Sequence, residues 1–197
     1  YKMGIDTLFN LRRQLMQTLV SFKEDLCRED FNAIPFINAD GYHSKTIAYS
    51  IWHIFRIEDI VAHTVITEDE QVFFTGNYQV RINSPIITTG NELVKQQIAD
   101  FSKQLNLEEL YSYIFEVRES TEKILERFSY DELKWKIPDE RKGYLKSLNV
   151  VNCDEKAIWL IDYWCNKDIC GLIQMPFSRH WIMHTEACLR IKNKMHS

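Results

Sequence analysis

Residues 44–66, SKTIAYSIWHIFRIEDIVAHTVI, are the stretch that decides the fold. Wound as a helix, this stretch places apolar side chains around more than half of its circumference. Ser44 or Thr46 can cap its start by accepting a hydrogen bond from a free backbone N–H group. A helix that is apolar on most sides is surrounded by other elements. The sequence therefore predicts a central helix over 44–66.

Three further segments show the spacing of apolar residues that is typical of long helices. In residues 4–29, leucines recur at steps of three, four and seven, which places them on one face. Residues 107–129 carry an apolar heptad pattern that follows the capping residue Asn106. Pro176 fits the first turn of a last helix over 176–195.

Two shorter helices are predicted between the long ones. Thr89 and Glu92 form a capping-box pattern, in which each side chain bonds to the other's backbone, and this predicts a helix over 90–104. A second linking helix is predicted over 154–170, because acidic residues open it and Gly171 can end it.

The remaining connections are less regular. Residues 70–88 fit either a small hairpin or a long loop with local turns, and the loop is the favoured interpretation. Residues 130–153 are expected to be irregular, because Pro138 and Gly143 interrupt any helix there.

Length and composition agree with a helical protein. The 197 residues are enough for one domain, and only 6 glycines and 4 prolines are present, which disfavours a turn-rich sandwich or barrel. We expect an all-α fold in a single domain, 1–197, built as a four-helix up-and-down bundle with additional short linking helices.

Charge and cysteine usage exclude several classes of protein. The net charge of −4 argues against direct nucleic-acid binding, because such proteins usually carry a basic patch or excess. No apolar stretch of about 18 residues occurs, so no membrane span is expected. The N-terminus lacks a signal-peptide pattern, and the five cysteines form no Cys-x-x-Cys pair. We therefore expect a cytoplasmic protein with reduced thiols.

Three histidines are the candidate functional residues. His180 and His184 stand four positions apart, so their side chains lie on one helical face, about 5–6 Å apart at Cβ, and can share a metal ion. His53 lies among large apolar residues in the middle of the central helix, where an unpartnered imidazole is costly. From the residues alone, either a core histidine bonded within the protein or a three-histidine metal site explains this pattern.

Other polar residues near these histidines have simpler explanations. Cys188 could approach the face of His184, but a core cysteine is favoured. Glu58 and Asp59 could orient an imidazole, but a solvated ion pair is favoured. His43 and His63 are too far from His53 along the helix to share its metal, and four aromatic residues are interpreted as core: Trp159, Tyr163, Trp164 and Trp181. Arg56 and Arg179 fit either contacts to an anionic substrate or surface salt bridges.

Two segments of the chain that contain these histidines resemble a known family. The segments 51–59, IWHIFRIED, and 176–184, PFSRHWIMH, resemble the second and last helices of the DinB/YfiT-like superfamily of metalloenzymes. The resemblance implies a four-helix bundle, often a homodimer, that binds a divalent metal ion, zinc or nickel, through His53, His180 and His184.

The resemblance also implies a class of function. It suggests a metal-dependent enzyme, either a thiol-dependent S-transferase that uses a low-molecular-weight thiol or a hydrolase, acting on a small molecule. The alternative is a non-catalytic, stress-associated binding or assembly protein with a structural or vestigial histidine cluster. Residues 130–175 are longer than in compact members of the family, so they either cover the metal site or extend a dimer interface.

Overall fold

The computed structural model describes residues 2–196, and its regular structure is helical. The helices, in chain order, are α1 (Lys2–Asp25), α2 (Arg28–Asn32), α3 (Ile47–Asp59), α4 (Val72–Thr75), α5 (Tyr78–Ile82), α6 (Gln96–Gln104), α7 (Leu107–Glu126), α8 (Arg141–Ser147), α9 (Glu155–Cys165), α10 (Ile169–Gln174) and α11 (His180–Met195). A π-helix, Ile60–Thr67, continues α3; a second, Met175–Arg179, leads into α11; and Asp131–Lys134 form a 3-10 turn. Between residues 2 and 196 no strand forms, and no helix is long and apolar enough to cross a membrane.

The all-helical prediction is confirmed, with shifted helix ends. The first helix ends at Asp25 instead of residue 29. Thr46, not Ser44, caps α3, because its hydroxyl oxygen accepts a hydrogen bond from the Tyr49 N–H group at 3.0 Å. Asn106 caps α7 in the predicted way, accepting from the Glu109 N–H group at 3.3 Å.

The predictions for the connections are partly wrong. Thr89 and Glu92 do not open a helix, since α6 begins only at Gln96 and the Glu92 carboxylate instead accepts a hydrogen bond from the Thr88 hydroxyl group. Gly171 does not end a helix but lies inside α10, where its N–H group donates to Asp168 Oδ1 at 2.8 Å.

The two segments predicted to be irregular contain short helices. Gly143 lies inside α8 and does not interrupt it, and a Cβ atom at this position would meet open space. Residues 70–88 hold α4 and α5 in place of the favoured loop. The reason is a distant carboxylate: Asp59 accepts from the N–H groups of Val72 at 2.9 Å and Phe73 at 2.8 Å, at the start of α4.

Helix α3 is the centre of the packing, and all of its residues are buried. It contacts α7 and α11, and α1 also contacts both of these helices. The first part of α3 belongs to a core cluster with residues of α1, α7 and α11, and the π-helix that follows belongs to a second cluster with residues of α9 and α10. One continuous helical element thus runs through both clusters.

A buried ion pair fixes α1 and α11 against α3. The guanidinium of Arg12 donates to both carboxylate oxygens of Glu58, at 2.7 and 3.0 Å, and to the Phe177 carbonyl oxygen at 2.8 Å. Glu58 also accepts from Trp181 Nε1 at 2.6 Å, and both charged side chains are fully buried. The expectation that Glu58 is solvated is therefore wrong.

Asp59, which was expected to be solvated like Glu58, and Arg56 are also buried. Asp59 accepts from the Tyr113 hydroxyl group at 2.8 Å in addition to its contacts with α4. Arg56 donates to the Ile87 carbonyl oxygen at 2.8 Å and to Gln71 Oε1 at 2.7 Å. Arg56 therefore makes neither a surface salt bridge nor a substrate contact, because its N–H groups donate to acceptors inside the protein.

We expect Arg12→Leu to lower the free energy of unfolding by about 3–5 kcal/mol, because it leaves the Glu58 carboxylate buried without a positive partner. Urea denaturation measures this loss. Arg13→Leu is the matched control on the exposed side of the same helix and should change the value by less than about 0.5 kcal/mol. Equal losses in the two variants would contradict the assigned role of Arg12.

Candidate metal centre

The structure brings together the three histidines that the sequence singles out. One ring nitrogen from each of His53, His180 and His184 lies within 4.8 Å of the others. The ring centroids are 5.1 Å apart for His53 and His180, 4.9 Å for His53 and His184, and 4.6 Å for His180 and His184. Three imidazoles at these separations can converge on one ion at the usual metal–nitrogen distance of about 2.0–2.1 Å.

A loop beside α3 orients the His53 ring. His53 Nδ1 lies 2.6 Å from the Thr89 carbonyl oxygen. Because a carbonyl oxygen can only accept, Nδ1 carries the proton, and Nε2 keeps a free lone pair. Tyr49 stacks on the same ring, with centroids 5.3 Å apart, and its hydroxyl group donates to the Gly90 carbonyl oxygen at 2.8 Å. This arrangement is the one that metal-binding histidines commonly have, with the second nitrogen held by a backbone carbonyl.

The His180 and His184 rings fit a metal ion for a different reason. Nδ1 of each ring is buried and has no hydrogen-bond partner within residues 2–196. Buried polar atoms without partners are rare in proteins, and each costs free energy. Neither ring is held by a hydrogen bond at Nδ1, and three neutral imidazoles that lie this close together are a donor set that could hold a divalent ion.

Burial keeps all three imidazoles neutral, which is the form that binds metals. Desolvation lowers the pKa of His53 to about 4, partly offset by the hydrogen bond to Thr89. Burial and the neighbouring imidazoles lower the pKa of His180 and His184 well below the ordinary value. Near neutral pH the rings therefore do not need to lose protons before they bind an ion.

An aromatic pocket opens onto the three rings. Its volume is about 270 Å³, and its walls include Tyr42, Trp159, Tyr163 and Trp164. Trp164 is buried, as predicted, but Trp159 is 49% exposed, so the interpretation of all four aromatic residues as core is wrong. Trp159, Tyr163 and Trp164 belong to α9, so the long segment 130–175 forms part of the wall of the site.

The other residues considered from the sequence lie outside the histidine group. Cys188 is a buried core residue, and burial raises the pKa of its thiol to about 12. His63 bonds instead to Asp69 at 2.7 Å and to Ser120 at 3.0 Å, while His43 packs edge-on against Phe36. The remaining arginine, Arg179, is exposed.

Sequence reasoning missed the loop residues of the site. Tyr42 contacts His184 edge-on, with ring centroids 4.9 Å apart, and Asn91 lines the pocket beside His53. Neither residue belongs to a periodic pattern. The local signals were Gly41, directly before Tyr42, and Gly90, directly before Asn91, whose φ values of +106° and +76° mark a backbone conformation that favours glycine.

Comparison with known proteins gives a fold relationship only. No family model and no curated protein matches the chain. The chain is similar to a solved structure described as a conserved protein from Enterococcus faecalis, with 11% sequence identity and a TM-score of 0.65. The match covers 98% of this chain and 94% of that one, so the whole helical arrangement has a counterpart there.

We expect Gly90→Ala to destabilise the protein by more than about 1 kcal/mol, because the backbone is left-handed and a Cβ atom would lie 2.8 Å from the Trp52 ring. Thermal unfolding measures the effect. Gly143→Ala, at a helical glycine with open space around it, is the control and should be neutral or stabilising by up to about 1 kcal/mol. A neutral Gly90→Ala would show that the loop does not pack closely on α3.

We also expect the metal-free protein to lose stability as the pH falls below the ordinary histidine value of 6.5. Since the folded pKa of His53 is lowered to about 4, the unfolded chain binds a proton between these values that the folded chain does not. Each such proton lowers the free energy of unfolding by about 1.4 kcal/mol per pH unit.

Urea denaturation of chelator-treated protein between pH 7.5 and 4.5 measures this slope. His53→Gln should have a shallower slope than the unchanged protein, whereas His43→Gln, outside the histidine group, should keep the full slope. Identical slopes in all three proteins would contradict the lowered pKa of His53.

Proposed function

We propose that this chain is a divalent-metal-dependent enzyme of the DinB/YfiT-like kind that acts on a small molecule. The observation that carries the proposal is the buried three-histidine group at the base of a pocket. Three protein ligands with room for a further one are typical of catalytic metal sites, whereas structural zinc sites are closed by four. The pocket therefore favours an enzyme over a binding protein whose histidines are structural or vestigial.

His53, His180 and His184 would hold the ion, with zinc or nickel as the expected metals. Such an ion, when bound, lowers the pKa of a coordinated water or thiol so that it is deprotonated near neutral pH. The residues that line the aromatic pocket within the described chain include no carboxylate, so we assign no carboxylate base to this deprotonation. Thr89 keeps His53 oriented, and aromatic side chains form much of the wall of the pocket.

The reaction we favour is the transfer of a low-molecular-weight thiol to an electrophile. The sulfur atom forms a bond to the electrophilic carbon, the leaving group departs with the electron pair of its own bond, and the thiol proton passes to solvent. Hydrolysis, with water in place of the thiol, is the second reaction to test.

We further propose the up-and-down bundle topology, a homodimer, a cytoplasmic location and no direct contact with nucleic acid.

Metal binding is the first test. We expect purified protein to bind one cobalt(II) or zinc ion per chain, and we expect His184→Ala to lower this affinity by roughly a hundredfold or more. Titration with elemental analysis measures both. His43→Ala removes a histidine outside the group and should bind like the unchanged protein. Absence of stoichiometric metal in the unchanged protein would overturn the proposal.

Turnover is the second part of the same test. Metal-loaded protein is assayed with small thiols and an aryl halide, and separately with ester and amide substrates. Loss of turnover in His184→Ala, with retention in His43→Ala, would support the enzyme. A protein that binds metal but turns over neither set would favour the non-catalytic alternative.

A further inference from the structure

A second cavity reaches the same histidines from another side. Its volume is about 190 Å³, and it is lined by Gly41, Tyr42, Lys45, Tyr49, His53, Asn91 and His184. Tyr42, Asn91, His53 and His184 also line the aromatic pocket. The two cavities therefore meet at the candidate metal centre, and each has a different chemical character.

Lys45 places a positive charge at the wall of the second cavity. This side chain is partly buried and makes no ion pair with any residue between 2 and 196; its Nζ lies 5.9 Å from the centroid of the Tyr49 ring. Lys45 lines this cavity together with His53 and His184, and desolvation lowers the pKa of Lys45. A partly buried ammonium group without a negatively charged partner costs free energy.

Asn91 supplies an independent second observation. Its Oδ1 atom is buried and has no hydrogen-bond partner in the described part of the chain. The amide lines both cavities, next to the loop residues that hold His53. The other end of the same amide is an NH2 group, whose N–H bonds can donate to an anion.

We propose that Lys45 and Asn91 form an anion subsite that binds the carboxylate of one reactant, whose other end reaches the three-histidine centre. One ammonium group and one amide match a compact monoanion better than a phosphate dianion. The aromatic pocket then receives the second, apolar reactant. This inference rests on the proposed function and favours two-reactant transfer, with a carboxylate-bearing thiol, over hydrolysis.

The test compares two thiols of equal length, 3-mercaptopropionate and 3-mercapto-1-propanol, on cobalt(II)-loaded protein. The sulfur-to-cobalt absorption band gives the Kd of each. We expect the unchanged protein to prefer the carboxylate by about tenfold. Lys45→Met should reduce this preference to near one by weakening only the carboxylate's binding, and Lys45→Arg should retain most of the preference.

Two further variants make the test specific. Asn91→Asp is nearly isosteric and places a negative charge beside Lys45, so it should abolish the preference while the neutral thiol still binds. Lys167→Met is the matched control, because Lys167 also lies over an aromatic ring, with Nζ 4.3 Å from the Tyr163 centroid, but does not line the second cavity. A preference that survives Lys45→Met, or that disappears in Lys167→Met, would overturn the subsite.

Propionate and inorganic phosphate, titrated into metal-free protein, separate this inference from the proposed function. The Lys45 side-chain NMR signals, assigned by their loss in Lys45→Met, should shift saturably with propionate and much less with phosphate. This result would support the anion subsite even if cobalt does not bind, an outcome that overturns only the metal enzyme. Failure of propionate to saturate, or equal binding of phosphate, would overturn the carboxylate subsite alone.

Discussion

The complete burial of α3 is the constraint on which the rest of the structure depends. Every residue from Ile47 to Asp59 is buried, and this stretch includes Arg56, Glu58 and Asp59. Charged groups removed from water need partners inside the protein, because an unpaired buried charge is costly. Each of these side chains therefore draws another element against α3. Glu58 fixes α1 and α11, Asp59 fixes α4 and α7, and Arg56 fixes the carbonyl of Ile87.

The same requirement explains why the histidine group stands out. Glu58 and Asp59 have their oxygens bonded by donors from several elements. His180 and His184, in contrast, keep buried nitrogens without partners among residues 2–196, one helix away from a well-satisfied network. With His53, these two neutral imidazoles form a donor set that could hold a divalent ion from outside the chain.

Local patterns predicted the long helices, because apolar periodicity and caps act within one or two turns. Thr46 and Asn106 cap their helices in the expected way because their acceptor oxygens meet nearby N–H groups. Thr89 fails as a helix start because its carbonyl oxygen is used by His53, 36 positions away. The solvated ion pair expected at Glu58 fails likewise, because Arg12 lies 46 positions earlier. In both cases a distant partner outweighed a local signal.

The sequence by itself determined an all-helical chain with a largely apolar, histidine-bearing central helix, because periodicity, low glycine content and caps are properties of neighbouring residues. It also singled out His53, His180 and His184, since spacing and apolar surroundings can be read along one helix. Only the tertiary structure decided that α9 walls the pocket and that Lys45 and Asn91 face the same rings. Such contacts depend on how α3, α9 and two loops pack in space, and no local pattern encodes that packing.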